Sequence, residues 1–410
     1  MVDHWILDVR QMLSKKLASK RGAKLVLHHG TAALGLNQTL QEQGIVLDAT
    51  ILSCTYMPTN LYAAGCYIHD LSTSEEALEG LTCLTLKKHG EYLRYLPESL
   101  ESLTIEFNSN DGLRKTHMPN GLQTLAFGVR FNQSLERVTL PAGLLTLTFG
   151  SDFDQSLEEV ILPTNLQALT FGCDFNQILE RVTLPPSLQT LAFGACFNRS
   201  LKGVTLPPGL QTLAFGYAFN HSLEGVTLPP SLQTLTFGDD FDQSLQRVPL
   251  PPGLQMLTLG NDFEQSLEGV TLPPSLQALT LGHCFNQSLE RVSLPPGLQT
   301  LSFGDDFNQS LERVTLPPSL QTLTLAYRFN QSLKAVIFPE KLEHLLLGWG
   351  FRQDLEGVVL PSSLKTLGLR EAVLSCRWLG PRVHVARTRL QKADSATCCD
   401  DLIARIWVIN

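Results

Sequence analysis

Asp239, Asp240 and Asp242 stand 22 residues before Asn261, Asp262 and Glu264, and Asp305 with Asp306 continues the acidic series. If such segments stack, their oxygens would suit Ca2+, a hard cation, or a basic partner. Acidic loops on a surface are more often simply solvated, and that is the reading here. His283, Cys284, Cys173 and Cys196 occupy variable turn positions of a repeating unit. A structural zinc site needs four converging ligands, and Cys284 lies several units from the other two cysteines. They read as fillers of a tolerant loop, so no metal and no cofactor is expected. His28 and His29 have no nucleophile or acid beside them in a readable motif. Cys398 and Cys399 would suit acylation, but as a pair near the end they read as part of a cap. Asn132, Asn286, Asn308 and Asn330 each open an Asn-Gln-Ser sequon. They read as by-products of the repeat, their carboxamides expected to be hidden in a ladder. No nucleophile–base pair, phosphate loop or metal spacing emerges, which excludes a legible enzyme.

The elements carrying these residues repeat. Phenylalanine recurs every 22 residues from Phe131 to Phe351, and a valine follows each one seven positions later, from Val138 to Val358. Leu135, Leu144 and Leu147 recur in all eleven units. Identity within one chain means a shared environment, and for these apolar columns that environment is a core. Leu232, Leu235 and Phe237 have LxxLxL spacing, with the last two alternating with threonine as a short strand requires. Val226 and Leu228 around Thr227 predict a second strand or extended edge, and Pro229-Pro230 keeps helix out of it. Gly238 and its equivalents are expected to turn the chain after the long strand.

The fold class that follows is mainly β: a solenoid of 22-residue coils with parallel sheets, stacked at about 4.8 Å per coil. One coil buries too little to fold, so stability comes from the stack. Asn132, Asn176, Asn198, Asn220, Asn286, Asn308 and Asn330 are expected to form a ladder between coils, interrupted at Asp154, Asp242 and Glu264.

Composition bounds the function. A net charge of -8 with 17% charged residues disfavours nucleic acid as a partner. No secretory signal and no apolar stretch long enough for a membrane span are visible. The nine cysteines are irregularly spaced, as reduced thiols in a cytoplasmic or nuclear protein would be.

The pattern FNQSLxxVxLPxSLxxLxFG resembles the FNIP repeat and shares a skeleton with BspA-type leucine-rich repeats. Serine (Ser134, Ser200, Ser222) or Ile178 stands where the FNIP family often has proline. The resemblance spans residues 131–370, with weaker coils back to about Leu81. It implies a solenoid and an interaction role, and brings no catalytic residues.

The organisation expected is a segment at 1–58, a linker at 59–80, degenerate coils at 81–130, eleven repeats at 131–370, and a cap or tail at 371–410. Val9, Leu13 and Leu17 share one face of a helix predicted over Ile6 to Gly22, and a strand, KLVLHHG, follows. With Thr39, Leu40, Gly44 and Ile45 this order resembles the later part of a ubiquitin-like fold, without its first hairpin. The resemblance implies that Leu25 and Val26 face partners, ubiquitin-pathway proteins among them. Leu25 and Val26 would equally complete a truncated core. In the repeats, the outward strand positions Thr190, Thr212, Thr234, Met256, Ala278 and Thr300 form a flat, weakly polar column. That column is the candidate protein-binding face of an intracellular scaffold. The alternative is a structural product of repeat expansion with no dedicated face.

Overall fold

The computed structural model describes residues 117–369 continuously, together with 82–86, 96–106, 108 and 113 and the backbone of four short strands at 28–29, 32–33, 66–68 and 384–387. Leu25, Val26, the expected N-terminal helix and most of the tail lie outside the described residues. The chain divides into two compact units, one comprising residues 1–263 and 270–276, the other 264–269 and 277–410.

In the first unit, His28–His29 pairs antiparallel with Ala32–Ala33. Its other strands are parallel and run Cys66–Ile68, Cys83–Leu86, Ser102–Ile105, Thr124–Phe127, Thr146–Thr148, Ala168–Thr170, Thr190–Ala192, Thr212–Ala214, Thr234–Thr236 and Met256–Thr258. In the second unit the parallel strands are Ala278–Thr280, Thr300–Ser302, Thr322–Leu325, His344–Leu347, Thr366–Leu369 and His384–Arg387. Within each unit every strand pairs with the next in register, as Leu213 does with Leu235 and Leu301 with Leu323. Among the described residues no α-helix is formed.

The central leucine of each strand and the Phe or Leu two places beyond it face the core. Leu213, Leu235 and Leu257 are fully buried in the first unit, as are Leu279, Leu301 and Leu323 in the second. Behind them lie stacked rings. Phe149 and Phe153 of successive coils lie 3.9 Å apart, and Phe153 follows Phe131 at 6.2 Å. In the second unit Phe303 and Phe307 repeat the contact at 3.8 Å. Such offset stacking adds to the area buried.

Of the two forms expected for the Val226–Leu228 edge, a strand or an extended edge, the chain takes the extended edge and forms no second ladder. The amide of Val226 bonds instead to Leu223 O in its own coil at 3.0 Å, and the prolines after it have no donor to offer. The chain turns after Gly238 as expected, with Phe241 N–H donating to Gly238 O at 3.2 Å. Gly238 is not in the left-handed region; it is needed because a Cβ there would lie 1.8 Å from the carbonyl oxygen of Gly216 in the coil below. Gly216 sits in the same way 2.0 Å from Gly194 O. The glycine column is a line of backbone-to-backbone contact, which any side chain would wedge open.

Candidate interaction surface

The invariant columns hold the coils in register from outside as well as inside. Asn132 Oδ1 accepts the amide of Asp154 at 3.0 Å and the side-chain amide of Gln155 at 2.9 Å. Asn176 receives Asn198 N–H, Asn198 receives Asn220 N–H, and Asn220 receives Asp242 N–H. In the second unit Asn286 receives Asn308, Asn308 receives Asn330, and Asn330 receives Arg352. Asp154 does not break the series: its Oδ1 accepts Asn176 N–H at 2.8 Å, because the ladder uses only an acceptor oxygen and a carboxylate supplies one. The ladder asparagines are also not hidden, since Asn198, Asn220 and Asn286 are exposed and the others half-buried. Only Oδ1 is engaged inward.

This makes a testable distinction. Asn308→Ala removes the acceptor of Asn330 N–H and Gln331 Nε2 and should lower stability by about 1–2 kcal/mol in denaturant titration. Asn308→Asp keeps an oxygen in place, as Asp154 does, and should melt within a degree or so of wild type (about 0.3 kcal/mol).

Serines form a second external ladder: Ser187 Oγ donates to Leu166 O at 2.8 Å, and Ser231 Oγ to Leu210 O at 2.7 Å. Ion pairs cross the coils at Arg181–Glu158 (2.9 Å) and Arg247–Glu224 (3.3 Å) in the first unit. Arg291–Glu268 and Arg313–Glu290 do the same in the second, both at 3.2 Å. These pairs are exposed, and such pairs add little to stability.

Two surfaces remain. The first is the strand face, where Thr190, Thr212, Thr234 and Thr300 are half-buried by neighbouring coils and Met256 is 46% exposed. The second is the two-residue turn between the glycine column and the next phenylalanine. Its backbone is laddered from Asp152 to Asp262 in the first unit: Cys196 N–H donates to Cys173 O at 2.7 Å, Ala218 to Ala195 O at 2.7 Å, and Asp240 to Tyr217 O at 2.9 Å. Because this main-chain ladder needs no particular side chain, side chains on the turn are free to vary, and they do. Its first position reads Val129, Ser151, Cys173, Ala195, Tyr217, Asp239 and Asn261, then His283, Asp305, Tyr327 and Trp349 in the second unit. No other column of the repeat varies so widely. Val129, Tyr217 and Tyr327 stand 62%, 56% and 53% exposed on it.

Electrostatics on these turns are local. The Asp240 carboxyl is raised above the ordinary aspartate value, first by partial desolvation and then by the charges of Asp262 and Asp239. In the second unit the expected acidic strip is partnered, with His283 3.4 Å from Asp305 and Arg328 3.1 Å from Asp306. The thiols of Cys173 and Cys196 are brought together with the Asp174 carboxylate, a convergence missed in the sequence because it joins positions 23 apart rather than 22. Burial, then Cys196 and Asp174, push the Cys173 thiol up from its ordinary value.

A parallel stack of 22-residue coils with an LxxLxL strand defines a leucine-rich-repeat-like β-solenoid. The FNIP Repeat family matches in successive segments that together cover residues 107–370, and the chain belongs to that family. Among solved structures it is similar to CroV588, a novel circular LRR protein, at 35% identity and a TM-score of 0.68, over 78% of this chain. The chain spans 51% of the length of that protein. An internalin (inlF) from Listeria monocytogenes aligns at 12% identity and a TM-score of 0.43, over 88% of this chain and 96% of its own. No curated protein matches the chain.

Proposed function

We propose that this protein is a non-enzymatic interaction scaffold that recognises a protein partner along the variable turns, with the strand face beside them supplying area. The observation that carries this is the contrast between columns. Positions that pack or ladder vary little, whereas the first turn position, beside a main-chain ladder, holds eleven side chains of nine types. Exposed tyrosines on a fixed backbone are favourable anchors for a protein interface, since they bring large area at low conformational cost. Thr190, Thr212, Thr234 and Met256 are the weakly polar flank of the turns in the first unit, and Thr300 of those in the second, where a partner docks by shape and hydrogen bonding. Among the described residues no helix is long and apolar enough to cross a membrane. The ubiquitin-like resemblance of residues 1–58, with Leu25 and Val26 as contact positions, adds a second docking element for ubiquitin-pathway proteins in the cytoplasm or nucleus.

Affinity capture from native extract with quantitative mass spectrometry tests this reading. The full chain should retain specific partners, and Tyr217→Ala with Tyr327→Ala should reduce their recovery at least tenfold, the scale of about 1.4 kcal/mol at an interface. Thr212→Ala with Thr234→Ala should reduce it less. Equal recovery by all three baits would remove the turns from recognition. A ubiquitin-pathway partner lost only on Leu25→Ala and Val26→Ala substitution would assign the N-terminal element its separate role.

A further inference from the structure

On the variable turns of the first unit, two thiols and a carboxylate from successive coils meet. Cys196 Sγ lies 3.9 Å from Asp174 Oδ1, and the Cys173 and Cys196 sulfurs and an Asp174 oxygen all fall within 4.8 Å of one another. The backbone beneath them is fixed. Asp174 N–H donates to Ser151 O and Cys196 N–H to Cys173 O, both at 2.7 Å, while Phe175 and Phe197 immediately after are fully buried. All three side chains are exposed, so an ion reaches them directly from solvent. Among the described residues no other group of histidines, cysteines and acids converges in this way.

We propose that Cys173, Asp174 and Cys196 form a binding site for a thiophilic divalent cation of the zinc class. Two sulfurs select a soft or borderline ion over Ca2+ and Mg2+, which require oxygen shells. Two thiolates on a tetrahedral zinc sit about 3.8 Å apart for Zn–S near 2.3 Å, so side-chain rotation closes the remaining gap without moving the coils. Binding releases one proton from each thiol to solvent, and the two thiolates and the carboxylate then hold the cation. The fourth tetrahedral position faces outward and takes water or a donor atom from a bound molecule, as in sites that keep an open coordination position. The same edge carries Tyr217 two coils on, so a bound cation would add to this surface a coordination position open to a donor atom, with no change in net charge. The site does not depend on that surface binding a protein.

The test uses the full chain, kept reduced with a phosphine and stripped of metal, titrated with Cd2+ as a spectroscopic stand-in for Zn2+. The expected result is one saturable, one-to-one step in the thiolate-to-cadmium charge-transfer absorption, displaced by Zn2+ and unaffected by excess Ca2+. That step should vanish in Cys173→Ser and in Cys196→Ser, and weaken at least about tenfold in Asp174→Asn. Melting curves matching wild type confirm that these surface variants fold. A step that persists in the Cys173→Ser/Cys196→Ser double variant overturns the proposal, because the ion is then held by other cysteines. So does an absence of saturable uptake in the reduced wild-type chain, including where Cys173 and Cys196 are recovered as a disulfide once the phosphine is removed.

Discussion

Gly238→Ala should destabilise the coils around it by about 3 kcal/mol, at the upper end of what overpacking costs, although it adds a single methyl group. The added Cβ would lie 1.8 Å from Gly216 O and 2.3 Å from Gly216 C, and neither atom can rotate away. Relief requires the two coils to part, which strains the Leu213↔Leu235 register and the ring contacts behind it. The chain contains one natural alanine in this column, Ala326. Gly225→Ala is the control. Gly225 has φ +81° but nothing within 4 Å of an added Cβ. Its counterparts Arg181 and Arg247 occupy the same turn without a positive φ. That substitution should cost less than about 1 kcal/mol, because the turn can adopt the arginine form. Denaturant titration with amide exchange over residues 194–262 would separate the two, and equal losses would contradict the contact role of the column.

Phe219→Ala carries the second large effect, about 3–5 kcal/mol, the range for removing a buried aromatic ring. Phe219 is fully buried and lies between Phe197 and Phe241, each 6.1 Å away, with Phe215 at 3.8 Å. A cavity there interrupts a continuous row of rings, and the flanking coils cannot collapse into it while the glycine and asparagine columns hold their spacing. The neighbouring column behaves differently. Phe237→Leu should cost below about 1.5 kcal/mol, because Leu259 and Leu281 already fill that position and are buried. The repeat thus contains its own control for each core position.

Much of this was legible in the sequence. The 22-residue period, the LxxLxL strand and the Pro-Pro edge follow from side-chain type and spacing alone, and the strands lie where Leu235 and Phe237 alternate with threonine. The reasons behind two columns were not legible. Constancy of Gly238 signals a constraint but does not distinguish a turn from a backbone contact, since both exclude a side chain. Asp154 looked like a break because asparagine and aspartate differ in charge, yet the ladder reads only the oxygen they share. Cys173 and Cys196 were weighed as zinc ligands and set aside for want of four converging groups; their approach across a one-residue offset, with Asp174 between them, depends on how the turn backbone hydrogen-bonds, which the period does not encode.

The central claim is that constant columns build the stack and variable turns do the recognising. Deleting residues 197–218 tests it most directly, since it removes one whole coil with Tyr217 and rejoins Cys196 to Phe219 in register. Capture from native extract is measured side by side for the intact and shortened chains, with circular dichroism to confirm folding. The account predicts a folded shortened protein that has lost the specific partner retained by the intact chain. Undiminished retention by the shortened chain would contradict it, and would favour a repeat whose expansion carries no dedicated binding edge.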